Sequence, residues 1–160
     1  MPSSYSWSLP GARKLVPHEA PQGRRINALA AYRLYGPPRL EAFTAGRTWD
    51  SYDLLAFLRA LPPARVPRVV VLDNASFHTS DVVRRARPSL ARSGLYLYYL
   101  PAYAPELNRI EAIFRQIKHH GMPVRSYETK VELQRAVEDA FSDYAVSLHS
   151  RRRRKPRPAA

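Results

Sequence analysis

Apolar and polar positions along this chain fall into patterns that predict its elements. Leu40, Ala42 and Thr44 alternate with Glu41, Phe43 and Ala45 over residues 39–46. Residues 25–35 (RINALAAYRLY) precede that run across Gly36-Pro37-Pro38, a turn that cannot continue a ladder. The pair predicts an antiparallel hairpin. Leu54, Leu55, Phe57, Leu58 and Leu61 then recur at helical spacing. Asp50 and Asp53 stand where carboxylates meet free N–H groups, and Pro62-Pro63 stops the helix. Val69-Val70-Val71-Leu72 is a short apolar run of the kind that suits a strand covered on both faces, as in a parallel sheet. Thr79 or Ser80 can cap a helix to about residue 92, closed by Gly94, and LYLYYL at 95–100 predicts a second apolar strand ended by Pro101.

Pro105 opens the next helix at its first turn, where a missing N–H costs nothing. Leu107, Ile110, Ile113, Phe114 and Ile117 follow at helical spacing, and Gly121-Met122-Pro123 ends the run. Thr129 and Glu132 form a capping-box pattern before a last helix, whose stripe is Leu133, Val137, Ala140, Phe141 and Tyr144. Residues 1–25, rich in Pro, Ser, Gly and Arg, show no apolar period and predict an irregular lead-in with a patch around Tyr5 and Trp7. No internal repeat occurs. Hairpin, helix, strand, helix, strand, helix, helix is an α/β order.

Composition narrows the function classes. A length of 160 residues suits one domain, and 45% hydrophobic residues argues against wholesale disorder. There is no apolar stretch long enough for a membrane span and no secretory signal at the start, so a cytoplasmic protein is expected. The absence of Cys excludes disulfides, thiolate metal sites and Cys nucleophiles. A net charge of +13 attracts polyanions, of which nucleic acid is the commonest. Arg151, Arg152, Arg153, Arg154, Lys155 and Arg157 supply six of the positive charges, which leaves +7 on the body. Residues 146–160 are therefore expected to be a basic disordered tail, either merely solvated or acting as a phosphate-seeking arm.

Three residue groups could do chemistry. Asp73 and Asn74 follow the apolar run RVVVL directly, and in open α/β sheets functional groups gather at the carboxyl ends of strands. A carboxylate fixed there is a good ligand for Mg²⁺, although Asp-Asn after a strand is also an ordinary turn. Glu111 shares a predicted helical stripe with Asn108, Arg115 and Lys118, beside the apolar row, where it could reach a strand end or simply pair with Arg115. His78, in the loop NASFH, could contact a phosphate or a carboxylate, or serve as a plain hydrogen-bonding residue. No Gly-rich phosphate loop, nucleophile elbow or metal-spaced histidine pair appears, which argues against an ATPase or an acyl-transfer hydrolase.

Taken together, VVVLDNASFHTS and YLPAYAPELNRIEAIFRQIKHH resemble the two catalytic blocks of DDE-type transposases, in particular the mariner-like branch and its bacterial insertion-sequence relatives. That branch's second block reads approximately L-P-x-Y-S-P-x-L-N-P-I-E-x-x-W-x-x-L-K. Leu100, Pro101, Tyr103, Pro105, Leu107, Asn108, Ile110, Glu111 and Lys118 match in register, with Ala104, Arg109 and Phe114 standing where Ser, Pro and Trp are usual. Tyr5-Ser6-Trp7 with Gly11 and residues 25–57 follow the family's order, so the likeness covers roughly residues 5 to 145.

The resemblance implies an RNase H-like mixed sheet with flanking helices over residues 26–145, and three carboxylates holding two Mg²⁺ or Mn²⁺ ions for phosphodiester hydrolysis and strand transfer. Asp73 would be the second carboxylate and Glu111 the third. Asn74, His78 and Asn108 would support them, while Arg115, Lys118 and the terminal basic run would contact DNA. The first acid of the family lies on a strand ahead of the Y-x-W segment, which here begins at Tyr5. Glu19, Glu41, Asp50 and Asp53 all lack that setting. The chain is accordingly expected to lack the first, central strand and its Asp, and to be inactive alone. A homodimer or a separately encoded N-terminal half would be its protein partner. A non-enzymatic basic DNA-binding remnant is the alternative.

Overall fold

The computed structural model describes residue 10 and residues 24–63, 65–102, 104–122 and 127–154. Apart from Pro10, Arg24 and Arg25, the predicted lead-in lies outside them, with Tyr5, Ser6, Trp7, Gly11 and Glu19. The described strands form two separate two-stranded sheets, one antiparallel and one parallel, so the single mixed sheet expected from the sequence is not formed among them. The chain divides into two compact units, Thr48–Ala112 and the combination of Met1–Arg47 with Ile113–Ala160.

In the second of these, β1 (Asn27–Tyr32) pairs with β2 (Leu40–Ala45) in the predicted hairpin, with Asn27 opposite Ala45 and Tyr32 opposite Leu40. Gly36 takes φ +81° in the turn, a left-handed conformation that costs glycine nothing. The long helix α4 (Lys130–Arg154) packs against β2, where Thr44 Oγ1 donates to Glu138 Oε1 at 2.6 Å. Among its described side chains Ala140, Phe141 and Leu148 are buried, and Phe141 meets Phe114 edge-on at 5.9 Å.

α4 corrects the sequence reading, because residues 146–154 are helical rather than part of a disordered tail; residues 155–160 lie outside the described ones. Leu148 is buried, so packing holds the helix beyond the predicted stripe. Once a helix is nucleated, each added arginine costs little.

The unit Thr48–Ala112 carries the candidate acids. Helix α1 (Ser51–Ala60) starts at Asp50, whose side chain accepts from the Tyr52 and Asp53 amides while Asp53 accepts from the Asp50 amide. Leu54, Leu55, Phe57 and Leu58 form its buried face. Next, β3 (Arg68–Leu72), α2 (Asp81–Arg92) and β4 (Leu95–Tyr99) make a β-α-β unit whose strands pair in parallel, Arg68 with Leu95 and Leu72 with Tyr99. Ser80 caps α2, and Gly94 at φ +77° turns the chain into β4. α2 packs on α1 and on β4 through Val83 and Leu90, both buried.

The parallel sheet differs from expectation in being covered on one face only. Leu72, Leu95 and Leu97 are buried, whereas Val69, Val71, Tyr96 and Tyr98 are exposed. The apolar run VVVL therefore alternates instead of being enclosed, because only one face of this sheet is packed over among the described residues.

The segment after β4 also departs from prediction. Pro105–Leu107 is a single 3₁₀ turn, α3 (Arg109–Gln116) begins four residues after Pro105, and a π turn (Ile117–Gly121) follows it. Asn108 stands just before α3, so it leaves the helical stripe assigned to it, and Lys118 falls in the π turn. The buried residues are Ile113 and Ile117, while Leu107 is exposed. Asparagine readily bonds outside a helix, which favours such a break. No helix among the described residues is long and apolar enough to cross a membrane.

Candidate active site

Asp73 is the first residue after β3, and the chain turns there because its own side chain closes a local ring. Oδ1 accepts from the Ala75 amide at 3.1 Å, a turn that short acidic side chains favour. The same oxygen lies 2.7 Å from Nδ1 of His78, which is also 3.2 Å from the Asp73 carbonyl. A carboxylate has no hydrogen to give, so Nδ1 carries it and donates. His78 is buried against Phe77, with ring centroids 4.1 Å apart, and its Nε2 is buried without a hydrogen-bond partner.

The loop holding these groups is braced at three points. Asn74 Nδ2 donates to the Leu100 carbonyl at 2.7 Å, tying the end of β3 to the end of β4. Tyr99 Oη donates to the His78 carbonyl at 2.9 Å, and Ser51 Oγ of α1 donates to the Phe77 carbonyl at 3.0 Å. Tyr99 and Ser51 were not singled out in the sequence. The only signal for Tyr99 is its place as the last residue of an apolar strand.

The second oxygen of Asp73 faces the next segment. Asn108 Nδ2 lies 3.5 Å from Oδ2, the outer limit of a hydrogen bond. Asn108 in turn accepts the Glu111 amide on its carbonyl at 3.0 Å, so Glu111 sits in the first turn of α3, one turn beyond the residue that reaches Asp73. That end of a helix favours a carboxylate. The Asp73 side chain is 45% accessible and Glu111 is exposed, so both acids are open to solvent.

Asp73, His78 and Asn108 are thus in contact, Asn74 is fixed beside them, and Glu111 follows within one helical turn. Arg115 and Lys118 are exposed on later turns, in the other unit. Arg151, Arg152, Arg153 and Arg154 form the end of α4, and Lys155 lies outside the described residues.

Residues 1–134, which include both acids and every element from β1 to the start of α4, match the family model of the DDE superfamily endonucleases. The chain belongs to that family. No curated protein matches it. As a DDE superfamily endonuclease it has a DNA substrate, and endonucleases of this superfamily generally use divalent metals. The carboxylates of Asp73 and Glu111 and the carboxamide of Asn108 are the hard oxygen donors that Mg²⁺ or Mn²⁺ takes. Among the described residues, however, no group of three or more His, Cys, Asp or Glu side chains is placed to hold a metal.

Proposed function

We propose that this DDE superfamily endonuclease contributes the second and third acids, Asp73 and Glu111, to a transposase centre that cleaves DNA strands and transfers them. The observation that carries this reading is the contact chain from His78 through Asp73 to Asn108, whose carbonyl receives the Glu111 amide. It links an acid at a strand end to an acid at a helix start. A hairpin followed by β3–α2–β4 suits an RNase H-like fold.

A divalent cation bound by these acids, Mg²⁺ or Mn²⁺, would offset phosphate charge and lower the pKa of an attacking water or 3′-hydroxyl. The residues of the chain do the positioning. His78 fixes one oxygen of Asp73 and leaves the other toward Asn108. Asn74 and Tyr99 keep the loop from swinging away from β4. Among the described residues no third carboxylate joins this pair, and a second copy of the chain or another polypeptide would supply it.

The test is nicking of supercoiled plasmid by the full chain in Mg²⁺ or Mn²⁺, alone and mixed with a polypeptide that ends an apolar strand in Asp. Metal-dependent nicking is expected in the mixture. Asp73→Asn or Glu111→Gln abolishes it while leaving DNA binding within about twofold, and full activity in either variant removes that residue from the mechanism. DNA binding that falls with salt, without nicking under any condition, would favour the alternative of a non-enzymatic DNA-binding protein.

A further inference from the structure

A cleft of about 280 Å³ lies on the unit Thr48–Ala112, lined by Thr79, Arg84, Arg87 and Tyr99. None of the four is one of the two acids, yet two adjoin their site. Thr79 follows His78 directly, and Tyr99 bonds the His78 carbonyl.

Charge gives the cleft its chemistry. α2 carries Arg84, Arg85, Arg87 and Arg92 against Asp81, a net of +3 on one helix. Arg84 and Arg87, three residues apart, share a side of α2, while Val83 and Leu90 are buried. The Arg87 guanidinium lies over the Tyr99 ring, 5.9 Å from its centroid, at the outer edge of a cation–π contact on the wall of the cleft. Arg84 Nη2 pairs with Asp81 at 2.9 Å, but both side chains are more than two-thirds accessible, so the pair is weak and readily exchanged for a stronger anion. The Thr79 hydroxyl makes only 3.4 Å contacts to the Ala75 and Ser76 carbonyls and can turn to an incoming acceptor.

Two guanidinium forks, a hydroxyl and an aromatic face suit a nucleic-acid backbone, in which phosphate takes the forks and sugar or base meets the ring. We propose that this cleft binds a phosphodiester of the DNA strand adjacent to the one presented to Asp73, and so sets the register of the strand. The proposal rests on the DNA-cleavage reading and deepens it.

The experiment is anisotropy titration of a labelled duplex and a labelled single strand, each about 20 nucleotides long, with the full chain over a range of salt. R84Q/R87Q is expected to weaken binding at least about tenfold and to flatten the salt dependence by one to two phosphate contacts, a slope change of about 0.7–1.8. R85Q/R92Q removes the same charge from the same helix outside the cleft and is expected to weaken binding less than about threefold. Arg87→Lys keeps the charge but loses the guanidinium's fork of donors, so it should fall between wild type and Arg87→Gln. All four arginines are exposed, and unchanged circular dichroism would establish intact folding. Equal losses in the two double variants would overturn the cleft and leave the nuclease reading intact. Nicking unaffected by Asp73→Asn would overturn the nuclease reading, whatever the cleft variants do.

Discussion

Replacing His78 by Phe should separate the stability of the fold from the function of the site. The change keeps the buried ring against Phe77 and removes both nitrogens. It deletes the 2.7 Å bond to Asp73, and a hydrogen bond to a charged group is worth about 1.5–3 kcal/mol. Asp73 is 45% accessible, so water takes over the vacated oxygen and the loss lies at or below the bottom of that range. Against it, Phe removes a buried nitrogen that has no partner, which costs the wild type about 1–3 kcal/mol. The two terms nearly cancel, and urea denaturation should give a difference within about 1 kcal/mol, or a Tm shift of no more than about 4 °C. The carboxylate, no longer held, should bind Mn²⁺ about 10- to 100-fold more weakly by electron paramagnetic resonance. Destabilisation beyond about 3 kcal/mol, or unchanged Mn²⁺ affinity, would refute the argument that His78 orients Asp73 rather than holding the fold.

Three further outcomes follow from the same structure. Asp50→Ala removes the carboxylate that accepts from the Tyr52 and Asp53 amides at the start of α1 and should cost about 1 kcal/mol in urea denaturation. Gly94→Ala meets no obstacle closer than Pro67 Cα at 3.9 Å, so its cost should be the backbone strain of φ +77° alone, about 1–2 kcal/mol by the same measurement. The Glu138 carboxyl is held below its usual range, first by the Thr44 hydroxyl and then by the Gln134 amide. Its stabilising effect is therefore present above the ordinary carboxylate value and is lost as pH falls through the lowered one. The Tm gap between wild type and Glu138→Gln should close on acidification, and it should be small at any pH because the group is solvent-exposed.

Local signals carried much of this fold and fewer of its interactions. Asp50 and Asp53, the spacing of Leu54 to Leu58, and Gly94 each act within a few residues, and each lies where the pattern placed it. The apolar run at 69–72 was ambiguous because β-branched residues suit a strand whether one face or both are covered, and only its neighbours decide. Pro105 marked a turn of the right hand but the wrong pitch, since Asn108 turns its amide to Asp73 instead of continuing a helix. The last arginines read as a repelling block, yet Leu148 extends the packed stretch toward them. At the site, Asp73, Asn74, His78, Asn108 and Glu111 were legible as a family pattern. The cleft was not, because it joins Thr79 to Tyr99 across a whole helix, and no spacing rule links residues that meet only after folding.

Among the described residues the platform beneath Asp73 is a ledge two strands wide, bare on one side. A broad sheet stiffens its loop ends from both flanks, whereas here the stiffness comes from struts: Ser51 reaching over from α1, Tyr99 from β4, and Asn74 pinned to the Leu100 carbonyl. Through Ser51 the aim of the carboxylate therefore depends in part on a helix it never touches.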